Sequence, residues 1–229
     1  WTSENWENLS PRQKDAALDN YLRIDLERGF SFSDAPLMRI ALIKLSTSKY
    51  YLIWSHHHLL LDGWCNGIIF QEIFTIYQAL SQGIEEELPP APHYKDYINW
   101  LGHKNDSAAE QFWKKALKGI KGSTRWGIES TGINSATTRG KEQSIFSEEI
   151  TNQLNNWAKL NHLTLNTIIQ GCFALLLSRY SGEDEVIFGA TVSGRSPEIS
   201  GVESLVGLLI NTIPVKVLII SDQNFLGWL

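Results

Sequence analysis

Three consecutive histidines, His56, His57 and His58, stand where two runs of opposite periodicity meet, and this junction constrains the fold more than any other part of the chain. Before them, Lys49-Tyr50-Tyr51-Leu52-Ile53 is apolar and aromatic, the composition of a strand. After them, over residues 67–77, apolar side chains recur at helical spacing. Asp62-Gly63 marks a bend between the two, because Asp bonds its own neighbouring backbone and Gly accepts positive φ. The histidines are therefore expected at the carboxyl end of a strand that hands over to a helix, a common place for chemistry.

Several readings fit such residues. They can be core or edge histidines with satisfied ring nitrogens. They can be metal ligands, but on a regular strand His56 and His58 face one way and His57 the other, so a zinc site needs ligands from elsewhere. Only Cys65 is near, Cys172 is distant, and the chain has no Cys-x-x-Cys or His-Glu-x-x-His. A catalytic reading uses a neutral imidazole as general base near pH 7, with the Asp62 carboxylate holding local geometry. Asp62 as cap of the following helix is compatible with all three.

The 229 residues suffice for one large or two small domains, and 43% hydrophobic content is ample for a buried core. A net charge of -5 argues against a nucleic-acid surface or an anionic-membrane surface. Two cysteines do not make a disulfide framework. The first residues lack the basic and apolar regions of a signal peptide, no apolar run has membrane-spanning length, and a cytoplasmic location is expected. With no initiator Met, and with residues 224–229 reading as the first turns of an amphipathic helix, the chain reads as an excised piece.

Taken in order, Ser10-Pro11 starts a helix running towards Gly29. A turn-rich link then leads to a strand over 37–45, the first half of a hairpin feeding the histidines. Residues 83–92 form a Pro-rich acidic loop. Tyr94, Tyr97 and Trp100 recur on one face of the next helix and read as a packing stripe. Helix continues over 109–117, with Phe112 and Trp113 apolar among charged neighbours. Residues 119–140, rich in Gly, Ser and Thr, mark the expected subdomain boundary. Beyond lie a short strand, a helix beginning near Ser147 with acidic residues in its first turn, an apolar helix over 164–180 and a buried-type strand over 185–192.

His57-His58-Leu59-Leu60-Leu61-Asp62-Gly63 resembles the His-His-x-x-x-Asp-Gly motif of the condensation domains of nonribosomal peptide synthetases. With its flanks, Trp54 to Trp64, it is similar to the subtype that joins an L-configured donor to an L-acceptor. The run from Gly29 through Phe30 to Ala35-Pro36-Leu37, the helix opening at Tyr94-Lys95-Asp96-Tyr97, the Ser193-Gly194-Arg195 loop with Gly201-Val202-Glu203, and Val206-Gly207 with Ile210-Asn211-Thr212 also resemble signatures of that family, in its order. The family's opening Arg-His-Glu run and closing motifs are not visible, nor is an adenylation signature or a carrier serine motif. The resemblance therefore implies an internal segment of one condensation domain.

It also implies an α/β fold of two chloramphenicol acetyltransferase-like subdomains set in a V, both incomplete: residues 1–119 from the amino-terminal one and 120–229 from the carboxy-terminal one. The implied reaction is attack of a carrier-bound acceptor amine on a carrier-bound donor thioester. His58 either takes the amine proton or positions the amine and stabilises charge. His57 is implied to be structural, Asp62 architectural, Gly63 a point of close backbone approach, and Asn211 a residue lining the tunnel. A bidentate Arg195 contact to Asp62, tying the two subdomains together, is expected. No metal and no directly bound cofactor is implied, because the substrates ride on phosphopantetheine. The implied partners are donor and acceptor carrier domains and an adjacent adenylation domain, with neither nucleic acid nor membrane. A stand-alone acyltransferase using coenzyme A, or a catalytically silent module that only docks carriers, are the competing expectations.

Overall fold

The structure, a computed structural model, describes residues 1–120, 122–127, 142–220 and 222–229. These form two compact units, Trp1–Lys104 with Ser193–Ile210, and Asn105–Val192 with Asn211–Leu229. The chain passes from one unit to the other at three points, and the composition-based boundary at residue 119 is none of them. Much of the 119–140 stretch lies outside the described residues. Low periodicity marks irregular backbone, whereas the units are set by which side chains pack together, and Ser193–Ile210 packs with the first.

In the first unit, α1 (Pro11–Arg28) begins as expected, with Pro11 in its first turn and the Gln13 side chain accepting from Ser10 N at 2.9 Å. Gly29 ends it at φ 58°, the left-handed region that favours glycine. β2 (Met38–Lys44) and β3 (Tyr50–His56) form the expected antiparallel hairpin, with Met38 opposite His56 and Lys44 opposite Tyr50. β1 (Thr2–Asn5) pairs parallel with the other edge of β2, giving the order β1-β2-β3. Ala41 and Ile43, two apart on β2, are buried, as the period of a strand requires.

The turn after β3 leads into α2 (Gly63–Ser81), followed by α3 (Tyr94–Gly102). The aromatic stripe of α3 is core. Tyr97 is buried among Ile199, Val202, Leu205 and Leu209, with Tyr94 and Trp100 packed against that cluster. Two glycines make this approach possible. At Gly194 (φ 62°) a Cβ would strike the Leu209 carbonyl, and at Gly207 it would strike the Tyr94 ring.

Much of α2 is uncovered: Ile73, Phe74, Tyr77 and Leu80 are all exposed. A contiguous apolar helix face in water favours association. The 229-residue chain, produced alone, is therefore expected to bind a hydrophobic dye and to aggregate on concentration. A monodisperse, dye-free, cooperatively melting product would contradict this.

In the second unit, Asn105 accepts from Ser107 N and starts α4 (Asp106–Ala116), so the helical stretch expected as a continuation is a separate helix with its own cap. α5 (Glu148–Leu160) is capped by Ser147 and α6 (Leu165–Ser181) by Thr164. β4 (Glu185–Val192) pairs antiparallel with β5 (Asn211–Leu218), and a last turn, α7 (Phe225–Trp228), is capped by Asn224. Ala174 and Leu177 of α6 pack on Val186. Of β4 only Val186 is fully buried, so the expectation of a strand buried throughout is corrected: a two-stranded ribbon covers less of each face than a wider sheet. Residues 142–147 are not a strand, and the preceding positions where one was expected lie outside the described residues. Among the described residues no single helix is long and apolar enough to cross a membrane.

Candidate active site

The hairpin positions the histidines. His57 N donates to Leu37 O at 2.9 Å, one rung beyond the last paired strand residue. A turn follows, closed by Leu60 N donating to His57 O at 3.0 Å, and His58 is its second residue. His58 is exposed. The expected strand alternation therefore stops at His56, and His58 does not share a strand face with it. The backbone leaves the extended conformation because the carbonyl of His57 turns to close the loop.

His56 remains on the strand against Trp54, ring centroids 4.9 Å apart. Its Nδ1 and Trp54 Nε1 are buried without a hydrogen-bond partner among the described residues. The His57 ring meets the edges of Phe30 and Phe32 nearly at right angles, at 6.2 and 5.0 Å, and its Nδ1 accepts from Leu59 N at 3.1 Å. Accepting there places the proton of the neutral ring on Nε2.

Four residues after His58 lies Asp62, a charged residue that is buried, 1% exposed. It caps α2, with Oδ1 accepting from Trp64 N at 3.1 Å. Oδ2 accepts from Leu209 N at 3.0 Å and Ile210 N at 3.2 Å. The Cys65 thiol lies 3.3 Å from Oδ1 and 3.2 Å from Gly207 O, and it accepts from Gly207 N at 3.3 Å. Arg195 Nη2 stands 3.6 Å from Oδ1.

The expected Asp62 to Arg195 pair is present, but its geometry is corrected. It is one contact rather than a bidentate clamp, because the Arg195 Nη1 donates to the carbonyls of Val202 and Leu205 instead, the latter at 2.9 Å. Both residues belong to the first unit, so the pair fastens the Ser193–Ile210 segment to the histidine loop and does not tie two units together. The guanidinium carbon also lies 5.4 Å from the Trp64 ring centre.

Gly63 is the first residue of α2, and a Cβ there meets nothing within 4 Å, so the close approach expected at Gly63 occurs instead at Gly194 and Gly207. Asn211 belongs to the second unit, where it pairs with Val192 and its Oδ1 accepts from Thr212 N. Sequence reasoning weighed Cys65 only as a metal ligand and did not single out Arg39. The signal for Cys65 was its place in the first turn of α2, three residues after Asp62. Among the described residues no three His, Cys, Asp or Glu side chains are grouped to hold a metal ion.

Burial pushes the Asp62 pKa up, but hydrogen bonds from Leu209 N, Cys65 and Ile210 N and the charge of Arg195 outweigh it and hold the carboxyl below its usual range. A depressed folded-state pKa contributes stability that is complete above the unfolded value and is lost as pH falls through the folded one. The melting midpoint is therefore expected to drop on acidification below about pH 4, and Asp62→Asn is expected to remove part of that slope. A gap between wild type and Asp62→Asn that stays constant from about pH 6 to about pH 3 would contradict this.

The comparisons with known proteins agree on the family. The condensation domain family model matches residues 1–229, and the chain belongs to that family. A linear gramicidin synthase polypeptide of Brevibacillus parabrevis is 39% identical over 98% of this chain and 3% of its own length. Bacitracin synthase 1 of Bacillus licheniformis is 41% identical over 91% of the chain and 4% of its own length. The chain thus spans a few per cent of the length of these two relatives. Among solved structures, a mutant starter condensation domain of rhizomide synthetase superposes with a TM-score of 0.77 at 18% identity, covering 99% of this chain and 52% of that one. The cyclization-docking bidomain from Sorangium cellulosum gives 0.80 at 18% identity, covering 99% and 46%. The mixed α/β fold is that of condensation domains.

Proposed function

We propose that this chain is part of a condensation domain that forms a peptide bond between a donor aminoacyl or peptidyl thioester and an acceptor aminoacyl thioester, both carried on phosphopantetheine arms of partner carrier domains. The acceptor nitrogen attacks the donor carbonyl, a C–N bond forms, the C–S bond breaks, and the amine proton ends on the released thiol. No nucleotide or metal is required, since the thioester is already activated. The finer assignments are the L-donor and L-acceptor subtype, two chloramphenicol acetyltransferase-like subdomains in a V, an internal segment of a longer synthetase with an adjacent adenylation domain, and a cytoplasmic location. They rest on the motifs and on the relatives' names.

The observation that carries the reading is the division of labour between His58 and Asp62. His58 is exposed on a hydrogen-bonded turn, free to meet a substrate amine, either accepting its proton or holding it while the oxyanion is stabilised. Asp62 is enclosed, with its oxygens engaged by Trp64 N, Leu209 N, Ile210 N and Cys65. A carboxylate so engaged supports the loop and has no free site for a substrate proton. Arg195 backs it, and Asn211 is proposed to line the substrate tunnel.

The reading is tested with the full-length protein and carriers loaded with donor and acceptor amino acids. Dipeptide on the acceptor carrier, with one donor thiol freed per bond, is the expected product. Transfer from coenzyme A to a free amine, with none between carriers, would replace this reading with that of a stand-alone acyltransferase.

A further inference from the structure

The Arg39 side chain makes four contacts, to three residues. Its Nε donates to Asp25 Oδ1 at 2.7 Å, Nη1 to Gly29 O at 2.6 Å and Nη2 to Asp25 O at 3.1 Å. Its guanidinium carbon lies 4.0 Å from the centre of the Phe30 ring. Arg39 is on β2, one residue after Met38, the partner of His56. It therefore joins three things: the end of α1, the loop that follows Gly29, and the hairpin that ends in the histidines.

That loop presses on the histidine turn. Phe30 and Phe32 meet the His57 ring edge-on, and the ring in turn accepts from Leu59 N within the turn that carries His58. A continuous set of contacts thus runs from Asp25 through Arg39, Phe30 and His57 to the residues on either side of His58. A planar fork with a stacking face is needed: the three hydrogen bonds point to three oxygens while the flat side receives Phe30, and a lysine ammonium supplies neither. Burial pushes the Asp25 carboxyl up, but the hydrogen bonds from Arg39 and Ser55 prevail and keep it below its usual range, consistent with a lasting ion pair.

We propose that Arg39 is a positioning residue for the proposed condensation reaction: through Phe30 it sets the orientation of the His57 ring, and through His57 the presentation of His58. This rests on the reading of His58 as the reacting histidine. Its contribution is to the rate of the chemical step, because its contacts lead through Phe30 to the histidine turn.

The test compares Arg39→Lys with Lys44→Met in the full-length protein. Lys44 pairs with Glu7 at 2.9 Å, at the far end of the same strand, so its loss controls for removal of a strand ion pair. Arg39→Lys is expected to remain folded and to slow single-turnover amide formation about tenfold to a hundredfold, the scale of a small misplacement. The carrier concentration giving half-maximal rate should not change, and Lys44→Met should keep the wild-type rate. Independently of the reaction, nitrogen NMR of the ring should show His57 with its proton on Nε2 in wild type and a mixture of tautomers in Arg39→Lys. A folded Arg39→Lys with wild-type rate and unchanged His57 signals would overturn the proposal. Changed signals in a protein whose wild type forms no amide would leave the positioning intact and remove the function on which it was placed.

Discussion

Asp62→Ala in the full-length protein is expected to lose about 3–5 kcal/mol of stability, the cost of removing one partner of a buried ion pair. The loss is of this size because the alanine leaves several groups stranded at once. Leu209 N and Ile210 N lose their acceptor, α2 loses its cap, and the Arg195 guanidinium, 6% exposed, keeps its charge without the neighbouring carboxylate. Cys65 also loses one of its two hydrogen-bond acceptors. Chemical denaturation would show the midpoint falling with little change in slope. Arg195→Met should cost less than Asp62→Ala, since the carboxylate keeps its backbone donors. Equal stability of Asp62→Ala and wild type would show that this buried cluster is not what holds the loop.

His58→Ala is expected to slow amide formation about a hundredfold to ten-thousandfold, the usual span for loss of a general acid or base, with the melting midpoint almost unmoved. An exposed side chain on a turn contributes little to packing, so fold and chemistry separate cleanly at this residue. His57→Ala should behave differently. It removes the acceptor of Leu59 N and the ring that Phe30 and Phe32 enclose, at about 1 kcal/mol for the hydrogen bond and more for the packing. Its effect on rate then comes through loosening of the turn, and the two variants differ in stability before any reaction is run.

The strand, bend and helix around the histidines were legible because each carries its own local signal: aromatic and β-branched residues, Asp-Gly, then apolar residues at helical spacing. The α3 stripe was legible for the same reason. His58 was misplaced by one step, since the end of β3 depends on where the Leu37 carbonyl and the His57 carbonyl find donors, a matter of pairing between distant residues. β1 has four polar residues and no alternation, and only its partner on β2 makes it a strand. The Asp62 to Arg195 pair was legible as chemistry, a carboxylate at a bend needing a cation. Its single contact follows from the Val202 and Leu205 carbonyls competing for the same guanidinium. That Ser193–Ile210 packs with the first unit is a long-range choice that composition does not encode.

In the proposed reaction His58, presented on a turn braced by its neighbours, carries the chemistry of amide formation. The decisive measurement is single-turnover transfer between loaded carriers by His58→Ala, with and without added imidazole. A folded variant slowed about a hundredfold or more is expected, with part of the rate restored by free imidazole. A folded His58→Ala protein that transfers at the wild-type rate would contradict that role.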